Sequence, residues 1–301
     1  MERISHTTSA KLARRLNDMH GKGTYALGKV LNLVAVVRDD DDGVRAVSES
    51  AIGVAEAHPL RVIVVLPDAS DDGAARLDAD IMNPDDVGLA EVVILRPYNG
   101  AGTNRVSLVT PLLLPDAPVF TWWVQEAPQC PTDKSLGQIA SRRITNANAS
   151  DNPLRTLREL AQKREPGDTD ISWAGITIWR SQLAALLNEA PHEEVLSATV
   201  GGNLHRVGAN MLAAWLRLRL GVEVDLVHTE ARGIEYVILE RASGALSIKR
   251  PSNADIAILS RPGRADLQIS MPMRTLQAQL IEELRTVGDD SEFAAMLAAI
   301  G

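Results

Sequence analysis

The chain has 301 residues, 45% of them hydrophobic and 23% charged, and its net charge of −8 is shared equally by its two halves. This is the mixture of an ordinary globular domain or pair of domains, which excludes fibrous and disordered classes. Neither half is basic, which argues against a nucleic-acid module, whose affinity comes largely from neutralised phosphates. In chain order, Thr8 or Ser9 caps a first helix with Leu12, Leu16 and Met19 on one face, ended by Gly21 and Gly23. Residues 27–37 read as a buried strand, the aspartates at 39–42 and Gly43 as a solvated turn into a helix ending near His58-Pro59, and 61–66 as the next strand. Strand, helix and strand at this spacing predict a right-handed βαβ unit with its strands parallel.

Residues 74–82 and 91–96 then read as two strands joined by the turn Asn83-Pro84-Asp85-Asp86, and 118–124 as another, so the sheet is mixed. Residues 134–141 and 153–163 predict short helices. The polar stretches 146–152 and 164–170 place a boundary between an N-terminal mixed α/β domain, 1–165, and a C-terminal α+β domain, 166–301. Beyond it, 171–187 predicts one helix carrying Trp173 and Trp179, 195–200 a strand and 204–220 a helix. Segments 223–228, 234–240, 245–249 and 255–260, separated by turn residues, predict an antiparallel β-meander. Two amphipathic helices close the chain, the second capped by Asp290 or Ser291.

Catalytic motifs are scarce in the chain. No phosphate-binding P-loop, Gly-x-Ser-x-Gly elbow or His-Glu-x-x-His helix is present. Gly100-Ala101-Gly102 follows a strand, but Arg105 stands at the third glycine position of a dinucleotide turn and the next residues read as a strand, which favours a plain surface turn over a phosphate site. The six histidines share no i, i+3 or i, i+4 spacing, and His192-Glu193-Glu194 reads as a turn before it reads as an acid–base cluster. The paired aspartates, including Asp71-Asp72 and Asp289-Asp290, read as turns and caps. Cys130 is the only cysteine, which leaves no intrachain disulfide or dithiol switch and fits a reducing, cytoplasmic compartment. Residues 1–23 lack the apolar stretch of a secretory signal, and no apolar run of about 18 residues suggests a membrane span.

Aromatic residues are scarce, at 3%, and five of them are tryptophans. Trp122-Trp123 end a strand and must point to opposite faces, so one indole, beside Arg142 and Arg143, is a candidate partner contact. Trp173, Trp179 and Arg180 form a second candidate contact group, or equally a capped helix packing against the sheet. Arg261, Arg264 and Arg274 form a local basic cluster able to hold a phosphate or a partner's carboxylates, or simply solvated charges. An enzyme reading would require Arg142, Arg143 and Arg261 to converge with Asp168 or Asp170 in one pocket.

Several segments in order carry a resemblance: 28–37, His58-Pro59-Leu60-Arg61, Leu113-Leu114-Pro115-Asp116, Trp122-Trp123, Arg142-Arg143-Ile144-Thr145, Asp168-Thr169-Asp170-Ile171-Ser172-Trp173, Thr177-Ile178-Trp179-Arg180 and Leu259-Ser260-Arg261-Pro262-Gly263. Together they resemble the glucose-6-phosphate dehydrogenase assembly protein family, OpcA, over nearly the whole chain. The resemblance implies a non-catalytic cytoplasmic assembly factor and allosteric activator of oligomeric glucose-6-phosphate dehydrogenase, serving the oxidative pentose phosphate pathway and its NADPH supply. It implies no cofactor, nucleic acid or membrane for this chain, and NADP would belong to the dehydrogenase. Thioredoxin control through cysteine pairs, linked to cyanobacterial relatives, does not carry over to a chain with Cys130 alone. The alternatives are a sugar-phosphate or nucleotide enzyme, or a metabolite-sensing module.

Overall fold

β-Branched and aliphatic runs build the first sheet. The computed structural model describes residues 1–20, 31–38, 41–57, 60–82, 91–125, 128–251 and 254–300. Its first half runs β1 (Glu2–Thr7), α1 (Ser9–His20), β2 (Leu31–Val36), α2 (Asp41–Ala57), β3 (Leu60–Val65), β4 (Arg76–Ile81), β5 (Glu91–Tyr98), α3 (Arg105–Val109), β6 (Val119–Trp123), α4 (Ser135–Gln138), β7 (Arg142–Thr145), α5 (Pro153–Lys163) and β8 (Asp168–Asp170). The eight strands lie in the order β1-β4-β5-β3-β2-β6-β7-β8. β5, β3, β2, β6, β7 and β8 are parallel, and β4 and β1 extend the edge in antiparallel fashion. Every residue of β3 is buried, as a parallel strand covered on both faces should be. One face packs Val47 and Val54 of α2, and the other packs Leu12 and Leu16 of α1.

Counted along the chain, the six parallel strands stand in the order 3-2-1-4-5-6. That is the doubly wound, Rossmann-type order, with its reversal between β2 and β6. The expected βαβ unit and the mixed sheet are both present. The glycines expected to end α1, the start of the strand at 27–30, the aspartates at 39 and 40, His58-Pro59, and the turn 83–86 fall outside the described residues.

Two expectations in this half are corrected. The residues after the Gly100 turn form α3 rather than a strand, because Asn104 caps them by accepting from the Ser107 amide at 3.0 Å. The helix expected over 134–141 stops at Gln138, and the Ser141 amide opens the next ladder by donating to the Val119 carbonyl at 2.8 Å.

The second half runs α6 (Ile171–Gly175), α7 (Thr177–Leu187), β9 (Ser197–Gly202), α8 (Val207–Leu220), β10 (Val224–His228), β11 (Ile234–Glu240), β12 (Leu246–Lys249), β13 (Ile256–Ser260), β14 (Leu267–Ser270), α9 (Leu276–Glu283) and α10 (Ser291–Ala298). Its six strands are ordered β10-β9-β11-β12-β13-β14. The meander therefore comprises β11 to β14. β10, expected to belong to it, instead pairs in parallel with β9, because α8 is a crossover between them.

The helix expected over 171–187 is two helices that meet at Ile176. That break turns Trp173 and Trp179, six residues apart, into the same core with Phe293, Met296 and Leu297 of α10. β8 lies beyond residue 165 yet is the edge strand of the first sheet. α9 returns to that sheet as well, burying Leu280 and Leu284 beside α2.

Candidate functional site

The residues singled out from the sequence lie mainly where the two sheets join. Trp122 and Trp123 do point to opposite faces of β6, but both faces are covered, and the indoles are 0% and 5% exposed. The expected exposed indole is thus absent. Arg142 and Arg143 alternate along β7 in the same way and are buried. Arg142 donates to the Glu283 carboxylate at 2.6 Å and to the Gly288 carbonyl at 2.8 Å. Arg143 is bonded to Asp168 and to the carbonyls of Ala140 and Pro166. Burial pushes the Glu283 carboxyl above its ordinary range, with Arg142 opposing the shift.

Asp168 and Asp170 are committed to the backbone. Asp168 accepts from the Glu165 amide at 2.9 Å. Asp170 accepts from the Ala147 amide at 2.7 Å, from Thr145 Oγ1 at 2.8 Å and from the Ser172 amide at 3.0 Å, the last of which caps α6. Burial raises the pKa of Asp170 against these donors. Trp173 donates its indole N–H to Asp290 at 3.0 Å, and Arg180 stacks on its ring at 3.5 Å. Arg261 and Arg264 share Glu189, while Arg274 is paired with Glu282 on α9, so the expected three-arginine cluster is divided. Of the groups in the enzyme reading only Arg143 and Asp168 meet, as a buried ion pair; Arg142 is paired with Glu283 and Arg261 with Glu189, so the set does not converge in one pocket.

A cleft of about 580 Å³ opens at the carboxyl ends of β2, β3 and β6, where the strand order reverses; Val37, Arg38, Pro67, Arg105, Trp123 and Lys134 are among its lining residues. A doubly wound sheet binds dinucleotides at this point, with the pyrophosphate on glycine amides at the start of the first helix. Here the sequence after β2 continues Arg38-Asp39-Asp40-Asp41-Asp42-Gly43, with four carboxylates where such a fingerprint places its glycines. The other glycine turn is already filled, since the amides of Gly100 and Gly102 donate to the Asp68 carboxylate at 3.0 and 2.6 Å. Neighbouring Asp71 is held at about 2 by Asn99, the Gly73 amide and Arg76. The strand order carries the Rossmann arrangement, and the sequence after β2 lacks its glycine fingerprint.

The histidines form no metal set: no group of three or more His, Cys, Asp or Glu able to hold an ion occurs among the described residues. His205 and His228 meet edge to face at 5.1 Å. Glu193 accepts from the Ser243 amide at 3.2 Å, a turn role.

The second sheet's outer face was not among the sequence expectations. Alternation along its strands sends Val200, Val237, Ile248, Ala257 and Leu259 into the core. The register aligns Val227, Gly201, Tyr236, Lys249, Ile258 and Gln268 in one row on the opposite face. Ile256 is 51% exposed, Val227 39% and Ile258 38%, while Tyr236 and Ile238 are half-buried. Tyr236 lies across Gly201, where a Cβ would come within 2.2 Å of its ring. Ile256 and Ile258 on β13, with the half-buried Tyr236 and Ile238 on β11, put exposed apolar surface on this face, and Lys249 stands between Tyr236 and Ile258. The alternation was visible in the sequence, but which face the helices leave uncovered depended on the pairing.

The fold is that of a mixed α/β protein in which a Rossmann-ordered sheet is joined to a second sheet with exposed apolar side chains on its outer face. Residues 51–162 match the family described as the N-terminal domain of a glucose-6-phosphate dehydrogenase subunit, and residues 166–297 match its companion, the family of the C-terminal domain. The chain belongs to the glucose-6-phosphate dehydrogenase assembly protein family, OpcA. It is 24% identical over 141 residues to the "Putative OxPP cycle protein OpcA" of Synechocystis sp., a match spanning 44% of this chain and 30% of that protein.

Two solved structures share 11% identity with it. An oxidoreductase from Thermotoga maritima aligns over 90% of this chain and 96% of its own at a TM-score of 0.37. The myo-inositol dehydrogenase of Lactobacillus casei, with NAD(H) and myo-inositol, aligns over 89% and 91% at 0.38. Scores this low carry no argument about this chain. No helix among the described residues is long and apolar enough to cross a membrane.

Proposed function

We propose that this chain is a non-catalytic cytoplasmic assembly factor that binds oligomeric glucose-6-phosphate dehydrogenase and activates it, supporting NADPH supply at the entry to the oxidative pentose phosphate pathway. The observation that carries the reading is the pair of family domains, which together take in most of the chain. The outer face of the second sheet, within the C-terminal domain, is the surface on which the dehydrogenase docks. Its exposed isoleucines and Tyr236 supply apolar area to a contact, with Lys249 between them and Glu240 and Asp225 as further polar groups.

Trp122, Trp123, Arg142, Arg143, Trp173 and Trp179 serve that contact indirectly, by fixing the second sheet against the first. Arg264, 53% exposed on its side chain, acts with Arg261 at a rim. Nucleic acid and membrane have no part in this reading.

Activation requires that the chain bind the active oligomer more tightly than the inactive form, since equal affinity for both shifts nothing. Purified chain mixed with glucose-6-phosphate dehydrogenase should co-elute with it, and should raise its activity or shift its oligomer distribution. Separate elution together with unchanged kinetics at micromolar concentrations would refute the reading.

A further inference from the structure

A second cleft, of about 330 Å³, lies where α6, α7, α8, β11 and the approach to α9 meet. Four arginines, Arg206, Arg232, Arg250 and Arg274, line it, and among the described residues no carboxylate does. Arg274 is neutralised by Glu282 from outside the lining. Arg206 and Arg232 are exposed and make no ion pair among the described residues.

Arg250 is 9% exposed, donates to the carbonyls of Met271 and Ile234 at 3.3 and 3.2 Å, and lies 5.4 Å from the Trp179 ring centroid. Burial disfavours its charge, and Asp255 acts on it only through space. A cavity that gathers guanidinium groups without anions of its own carries a repulsive cost that a bound anion removes.

The backbone adds to the same sign of potential. α8 is fourteen residues long, with no acidic residue in its first turn and Arg206 as an N-cap that supplies no side-chain acceptor. Asn148 takes the Val207 amide at 3.1 Å, and Gly208 and Ala209 face the cleft behind it. The positive end of the helix dipole therefore points into a space already lined by cations. Asn203, Ser172 and Gln279 offer neutral hydrogen-bonding groups on the remaining walls, and Trp179 an apolar one. The volume falls in the small-molecule range of roughly 300–1,000 Å³.

We propose that this cleft binds a small polyhydroxylated phosphomonoester, its phosphate held by Arg206, Arg232 and Arg250 at the start of α8 and its hydroxyls by Asn203, Ser172 and Gln279. Planar guanidinium forks suit a phosphate dianion better than a point cation does. This assignment is independent of the dehydrogenase, and its test uses the full-length chain alone.

The test titrates glucose 6-phosphate, inorganic phosphate and uncharged glucose in turn, following the Gly208 amide by NMR and the melting temperature in parallel. The expected result is saturable movement of the Gly208 signal by glucose 6-phosphate and none by glucose. Affinity should fall roughly tenfold or more in both Arg206→Ala and Arg232→Ala, and should be unchanged in a variant of the exposed Arg155, Arg155→Ala. Arg206 and Arg232 are exposed, so both variants should melt as the wild type does. Failure of glucose 6-phosphate to saturate the signal up to about 10 mM overturns the proposal, as does binding undiminished in both variants. Binding of inorganic phosphate without glucose 6-phosphate overturns the phosphomonoester assignment.

Discussion

Arg142 on β7 and Glu283 at the end of α9 face each other at 2.6 Å, 141 residues apart in sequence, with side chains 2% and 3% exposed. Their bond ties the end of the first sheet to the helix that follows the second. Asp289 tightens the same joint by accepting from the Gly167 amide at 3.0 Å, and Asp290 by accepting from Trp173. Removing one partner leaves the other charge buried and uncompensated, so Arg142→Ala or Glu283→Ala should each destabilise the fold by about 3–5 kcal/mol. Replacing both with apolar residues of similar size should cost clearly less than the sum. Urea denaturation of the two single variants and the double variant measures the difference.

Trp173 packs against Phe293 with ring centroids 5.8 Å apart, beneath the stacked Arg180. Trp173→Ala should therefore cost about 3–5 kcal/mol as a core deletion. Any loss of partner binding in this variant should track its lowered melting temperature. Trp173→Phe, which keeps an aromatic ring in the core but loses the bond to Asp290 and part of the indole volume, should keep more of both properties than the alanine variant. Calorimetry beside a pull-down separates the two outcomes.

The turn pinned by Asp71 makes a pH prediction. Its carboxylate is depressed to about 2 in the folded chain from an ordinary value of 3.8. A depressed carboxylate stabilises the fold fully above its unfolded pKa, and that contribution is lost as pH falls through the folded one. The melting-temperature gap between wild type and Asp71→Asn should therefore be constant near neutrality and close between about pH 4 and pH 2. A gap that widens on acidification would contradict the assignment.

Gly201→Ala tests the outer face of the second sheet from below. A Cβ there would lie 2.2 Å from the Tyr236 ring, which must swing away. The expected cost is about 1–3 kcal/mol, with a changed tyrosine environment in near-ultraviolet circular dichroism.

Local pattern made much of the fold legible. The Leu60–Val65 strand and its partner declare themselves as continuous aliphatic runs, and Pro153–Lys163 has the helix bounds its Asn152 cap and opening proline imply. What stayed hidden was long-range. Arg142-Arg143 reads as part of a partner contact until Glu283 and Asp168 are brought to it, because charge in a strand reads as surface for want of its partners. Trp173 and Trp179 are on different faces of one ideal helix, and share a core only because the helix breaks at Ile176. The Rossmann-type order emerges from β6 pairing beside β2, which no glycine fingerprint announced. The apolar outer face was invisible because it depends on which side α8 crosses.

Ile256 and Ile258 sit on that face without supporting the core, so changing them separates docking from folding. The decisive measurement is the affinity of purified glucose-6-phosphate dehydrogenase for the wild-type chain and for an Ile256→Lys, Ile258→Lys double variant of equal melting temperature. The account predicts binding by the wild type and a loss of roughly thirtyfold or more in the variant, the scale of an interface hot spot. Binding of the variant as tight as that of the wild type would contradict it, as would a wild-type chain that does not bind the dehydrogenase at all.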